Sequence, residues 1–152
     1  MLRIAATSLF AMLISQPVLA KQVFQCAGAT VTIAVDATTP RRSTEGAEVI
    51  LSVEKDPRST LLRYSNIDFI GGTCDTDRNG SPRIVYQAVC SGSGCFDLSN
   101  WGVIDPNTLQ ALLVPANDSL EAAERLLGHP PVLAGDKMSV SREAHELGLL
   151  TP

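Results

Sequence analysis

The chain has 152 residues, of which 18% are charged and only 5% aromatic, and 12 Lys+Arg against 16 Asp+Glu leave a formal net charge of −4. An acidic protein with one tryptophan and two tyrosines lacks the positive footprint that nucleic acid requires. It also lacks the basic face that favours anionic membrane surfaces, although its charge can steer it toward a basic protein partner.

Residues 1–20 read as a secretory leader. Arg3 supplies a positive charge, Ile4 to Ile14 form an apolar run, and Val18-Leu19-Ala20 ends in a small residue, so cleavage is expected after Ala20. A membrane anchor would need about 20 continuous apolar residues; Ser15, Gln16 and Pro17 break the run first. Removing these 20 of the 152 residues leaves 132, residues 21–152, a normal size for one β-rich globular domain. No other run is apolar enough to cross a bilayer as a helix. The mature form is therefore expected in the periplasm and outside the membrane.

All four cysteines, Cys26, Cys74, Cys90 and Cys95, follow the leader, and an even count in an exported chain predicts disulfides. Three pairings can be drawn. Cys90–Cys95 with Cys26–Cys74 is preferred, because the close pair is in reach without any tertiary assumption. On the chain-entropy argument the short ring stabilises by roughly 2 kcal/mol and the long crosslink by roughly 4 kcal/mol.

From Lys21 to Asp36 the pattern is sheet-like, with Val31, Ile33 and Val35 alternating with Thr30, Thr32 and Ala34 and a turn at Ala27-Gly28-Ala29. Thr38 to Gly46 reads as a loop, with Arg41-Arg42 in solvent. Ala47 to Lys55 alternates again, Asp56-Pro57-Arg58-Ser59 turns the chain, and Thr60 to Tyr64 returns it. Ile67 and Phe69 open a short apolar piece that ends in the flexible pair Gly71-Gly72.

Asp75, Asp77 and Asn79, followed by Gly80, match the start of an EF-hand-type calcium loop. The ninth position is Arg83 and the twelfth is Tyr86, where a ligand and a bidentate Glu belong. The favoured reading is a hairpin turn, since Asn-Gly between extended runs is the strongest short hairpin signal. No metal or cofactor is expected, and calcium at these three residues is the alternative.

Arg83 to Val89 is strand-like and leads into Cys90-Ser91-Gly92-Ser93-Gly94-Cys95, and Phe96 to Ile104 leads out, with Trp101 as a core anchor. Leu109 to Val114 is short enough for a buried strand. Asp118 with Glu121 three positions later predicts a helix start. Leu120, Ala123, Leu126 and Leu127 fall on one face of a helix over about 119–127, which Gly128 and Pro130-Pro131 end. Ser141 to Leu147 allows a short C-terminal helix capped by Gly148. Together these predict an α+β fold, mainly antiparallel sheet with one clear amphipathic helix, stapled by disulfides.

Catalytic chemistry finds little support in the sequence. Ser93 lies between glycines, but Ser91 stands where a G-x-S-x-G elbow needs its first glycine. His129 sits beside two prolines and His145 lies in a short charged helix. Cys90 and Cys95 are separated by four residues rather than by the two of the C-x-x-C of a thiol–disulfide enzyme, and no zinc-ligand spacing is present. No enzyme is expected; a hydrolase using Ser93 or a redox Cys90–Cys95 pair is the lesser reading.

A closed ring of four small residues is instead suited to insertion. A preorganised loop loses less entropy on docking. Ser91 and Ser93 can donate and accept hydrogen bonds, while Gly92 and Gly94 allow close backbone approach. A leader peptide, a small acidic β-rich domain and this serine-glycine loop resemble the periplasmic immunity proteins that inhibit type VI secretion cell-wall amidases. Members of that group plug a cysteine–histidine amidase cleft with a serine-bearing loop. The resemblance extends to Ser91, Gly92, Ser93 and Gly94, and implies a non-enzymatic inhibitor whose partner is a secreted cell-wall hydrolase. The alternative is a small envelope protein that binds an ion or small ligand.

Overall fold

A computed structural model describes residues 21–38, 47–90 and 99–149. The architecture is α+β and mostly antiparallel, as the alternation predicts. Four strands, β1 (Lys21–Cys26), β2 (Ala29–Val35), β3 (Val49–Lys55) and β4 (Arg58–Tyr64), form one sheet in sequential order. The second sheet contains β5 (Phe69–Thr76), β6 (Pro82–Val89), β7 (Trp101–Ile104), β8 (Ala111–Leu113) and β9 (Met138–Ser139), in the order β8-β7-β6-β5-β9. Two helices, α1 (Ser119–Leu127) and α2 (Val140–Glu146), complete it.

The main core lies between the sheets. Val31, Ile33 and Val35 of β2 and Val49, Leu51 and Val53 of β3 meet Ile70, Ile84, Tyr86, Ala88 and Ile104 there. The outward residues of β2, Thr30, Thr32 and Ala34, are half-buried, so the first sheet has one apolar face and one wetter face. A second, smaller core on the far side of the second sheet joins Val85, Trp101 and Val103 to Ala123 and Leu127 of α1. With a core on each side, β6 is buried at every residue from Ile84 to Val89. Its sequence shows a continuous run instead of alternation for that reason. Trp101 serves as the expected core anchor.

Cys26 of β1 and Cys74 of β5 form a disulfide that links one sheet to the other across 48 residues of sequence. Tyr64 of β4 and Tyr86 of β6 add a hydroxyl–hydroxyl hydrogen bond of 2.7 Å between the sheets. At one end, Lys55 Nζ donates to Ala27 O and Asn107 Oδ1, each at 2.8 Å, and Arg58 Nη2 donates to Asn107 O at 2.6 Å. These bonds fasten the turns of the first sheet to the β7–β8 turn of the second.

Three expectations need correction. Gly71-Gly72 is not a flexible end but the middle of β5. A Cβ on Gly72 would lie 3.0 Å from the Phe24 ring, and one on Gly71 would lie 3.2 Å from Lys137 Cα. Neighbours crowd the strand on both faces, and only glycine fits there without displacing them. Leu109–Val114 does not make a buried strand: β8 is a three-residue edge strand, with Leu112 and Val114 exposed. The buried member of the run is Leu109, which precedes β8 at a positive φ of 62°.

The third correction concerns the start of α1. Asp118 occupies the capping position at φ 65°, a left-handed conformation, and its side chain makes no cap. The apolar stripe of α1 is also narrower than its leucines suggest: Ser119, Ala123 and Leu127 are buried, whereas Leu126 is exposed. The helix end follows expectation, with Gly128 left-handed at φ 85° and its N–H bonded to Glu124 O at 2.7 Å. The short C-terminal helix forms as α2, capped by the Ser139 side chain, which accepts from the Arg142 N–H. The expected loop at Arg41-Arg42 lies outside the described residues.

Candidate functional site

The loop expected to carry function joins β6 to β7, the central strands of the second sheet. Ser91, Gly92, Ser93, Gly94 and Cys95 lie outside the described residues, and so do residues 96–98. Cys90, which leaves β6, is disulfide-bonded, and Cys26–Cys74 is the pairing expected for the long crosslink.

The root of the loop is well defined. β6 and β7 remain paired up to Gln87 opposite Trp101, and the Ala88 N–H still reaches Asn100 O at 3.1 Å. The returning chain is then tied to the start of α1. Ser119 Oγ accepts from the Trp101 N–H at 2.6 Å and donates to Ser99 O, while Ser99 Oγ accepts from the Asp118 N–H at 3.1 Å. The Ser99 carbonyl also accepts from the Trp101 N–H at 2.9 Å. One buried hydroxyl therefore joins the loop exit, the edge of β7 and the first turn of α1. Nothing in the sequence marks Ser119 for this, because it reads as an ordinary residue next to a better cap candidate.

An open cleft of about 410 Å³ lies beside this root, lined by Gln87, Trp101, Pro131, Val132, Leu133, Gly135, Asp136 and Lys137. Lys137 Nζ donates to Gln87 Oε1 at 3.1 Å across it. The cleft thus combines an indole and three apolar side chains with a lysine already engaged by a neighbour.

Asp75, Asp77 and Asn79 lie at the opposite end of the sheet, at the β5–β6 turn. Asp77 Oδ1 accepts from the N–H groups of Asn79 (2.8 Å) and Ser81 (3.0 Å), and its Oδ2 takes Arg83 Nη2 at 2.8 Å. Gly80 has a φ of 74°, and its N–H returns to Asp77 O at 2.8 Å. This is the geometry of a hairpin turn closed by an Asx bond. The Ser81 and Asn79 amides and the Arg83 guanidinium hold the Asp77 carboxyl below the usual carboxylate range. A cation here would have to displace Arg83, while Asp75 spends Oδ1 on the Thr76 N–H at 2.7 Å. Among the described residues no three His, Cys, Asp or Glu side chains converge as a metal-binding group.

The two histidines are separated in the fold. His129 stands at the β5–β6 turn, with Nε2 3.0 Å from Thr76 O. His145 lies on the exposed side of α2, whose Val140, Glu143 and Ala144 face inward. The whole of β6, Pro82–Val89, runs between that turn and the 90–95 loop.

Comparison of the chain with protein-family models, curated proteins and solved structures finds no match.

Proposed function

We propose that this protein is an exported, non-enzymatic inhibitor of the immunity-protein type, which blocks a peptidoglycan amidase by seating the 90–95 loop in its active-site cleft. The observation that carries this reading is the mounting of that loop. It springs from β6 and β7, the central strands of the second sheet, and its return is held by Ser119. A probe on such a base costs little entropy to dock, because its ends are already ordered. Ser91 and Ser93 would supply hydrogen bonds to the catalytic residues of the partner, and Gly92 and Gly94 would let the backbone approach them.

The Cys26–Cys74 bond suits an oxidising compartment such as the periplasm. Capture on the mature protein from the native envelope, followed by mass spectrometry and an amidase assay, tests the proposal. The expected result is a cell-wall hydrolase that is retained and loses activity in the complex. A retained hydrolase that stays fully active, or no retained hydrolase, would refute it.

A further inference from the structure

The joint between α1 and the β5–β6 turn holds a histidine whose geometry suits only one protonation state. His129 follows the C-terminal cap of α1. Its Nδ1 lies 3.0 Å from Pro130 O and its Nε2 lies 3.0 Å from Thr76 O, the last residue of β5. Both partners are carbonyl oxygens, which only accept. A neutral imidazole carries one N–H, so either tautomer aims a lone pair at one of these oxygens. The imidazolium carries two and satisfies both.

We infer that His129 is a proton-operated latch: doubly protonated, it ties the chain leaving α1 to the end of β5 while also bonding Pro130 O, and on losing its proton it must give up one of the two carbonyls, which loosens that joint. The charges around it favour the closed form. Asp75 Oδ2, on β5, lies 3.8 Å from Nε2. The turn contributes Arg78, and α1 contributes Glu121, Glu124 and Arg125 to the open cleft of about 620 Å³ that His129 also lines. Two of these have other duties: Arg78 Nη2 donates to Arg125 O at 2.8 Å, and Arg125 Nη1 pairs with Glu121 at 3.6 Å. The Thr76 and Pro130 carbonyls, with Asp75, hold the imidazole above its usual range. The ring is 42% exposed, so protons exchange with solvent freely.

The turn and the helix end are also in close contact, since a Cβ on Gly128 would lie 2.8 Å from Arg78 Cβ. His129 is the part of the joint whose hydrogen bonds change with its own protonation state. Its position gives it reach, because the segment that starts with it continues into Pro131, Val132, Leu133, Gly135, Asp136 and Lys137, which wall the cleft at the root of the 90–95 loop. A folded-state pKa above the unfolded value means that the latch contributes fully below about 6.5 and is lost as pH rises through the folded value.

The test is an NMR titration of the full mature protein that follows the His129 Hε1 resonance, assigned with His145→Gln, together with the backbone amides of 131–137. The account expects His129 to titrate above about 6.5, the 131–137 amides to share its midpoint, and Asp75→Asn to lower that midpoint. Melting temperature should fall across the same window in the wild type and not in His129→Gln. A His129 midpoint at or below 6.5, or amides of 131–137 that ignore it, overturns the latch even if the Gln variant fails to fold. The same slope of melting temperature against pH in both proteins also overturns it.

Discussion

In the sheet of β1–β4, inward residues of β2 and β3 are buried and outward ones are half-exposed. In the second sheet, β6 is buried along six consecutive residues, between the inter-sheet core on one side and the α1 core on the other. The difference teaches where a loop can be mounted rigidly. A strand buried on both faces is fixed by packing on each side, so the points at which a loop leaves and rejoins the sheet are fixed as well. The first sheet keeps an open face with Val23 and Leu61 exposed, and acts as a backing plate for the second.

The comparison breaks most severely where the sheets are joined. Replacing Cys26 and Cys74 together by alanine frees a crosslink spanning 48 residues, and the chain-entropy argument puts the loss at about 4 kcal/mol. Thermal melting should drop by more than about 10 °C. A drop of only a degree or two would mean that packing alone holds the two layers together.

A smaller test lies inside the doubly buried sheet. Gly102 pairs with Tyr86 in the β6–β7 ladder, and the phenol ring covers it so closely that a Cβ there would overlap the ring. The ring cannot retreat, because Tyr86 is fully buried and its hydroxyl holds Tyr64. Gly102→Ala should cost about 3 kcal/mol in denaturant unfolding, the upper range for overpacking. A cost near zero would show the second sheet to be as yielding as the first.

At the loop root the expected effect is smaller still. Ser119→Ala removes the hydroxyl that serves both the Trp101 N–H and Ser99 O. It should cost about 1–2 kcal/mol and increase amide exchange at Trp101. Unchanged protection there would mean that the Ser99 carbonyl alone holds the loop exit.

How much of this was legible follows from where the information resides. Period-two alternation in β2 and β3 and the helical spacing of Ala123 and Leu127 in α1 are local patterns, and all three elements formed as read. The β5–β6 turn was legible for the same reason, since Asn79-Gly80 carries its conformation in its residue types. Gly71-Gly72 was misread because the reason for glycine there, Phe24 and Lys137 packed against the strand, comes from distant parts of the chain. Asp118 was misread as a cap because composition does not reveal its left-handed backbone, and the hydroxyl that does the binding belongs to Ser119. Leu112 and Val114 looked buried because apolarity does not distinguish an edge strand from a central one. The flanks of the 90–95 loop were read as strands from their residues, but their central place in the sheet came only from topology.

The central claim is that the 90–95 loop is the part that engages a partner enzyme. Its most direct test is the affinity of a Ser91→Glu/Ser93→Glu double variant for the captured amidase, measured beside its melting temperature. Two bulky charges on the loop should weaken the complex about 30-fold or more, as the loss of a hot-spot contact does, while melting temperature stays within a few degrees of the wild type. Intact affinity and inhibition in the double variant would contradict the account, because the loop could then not be what fills the cleft.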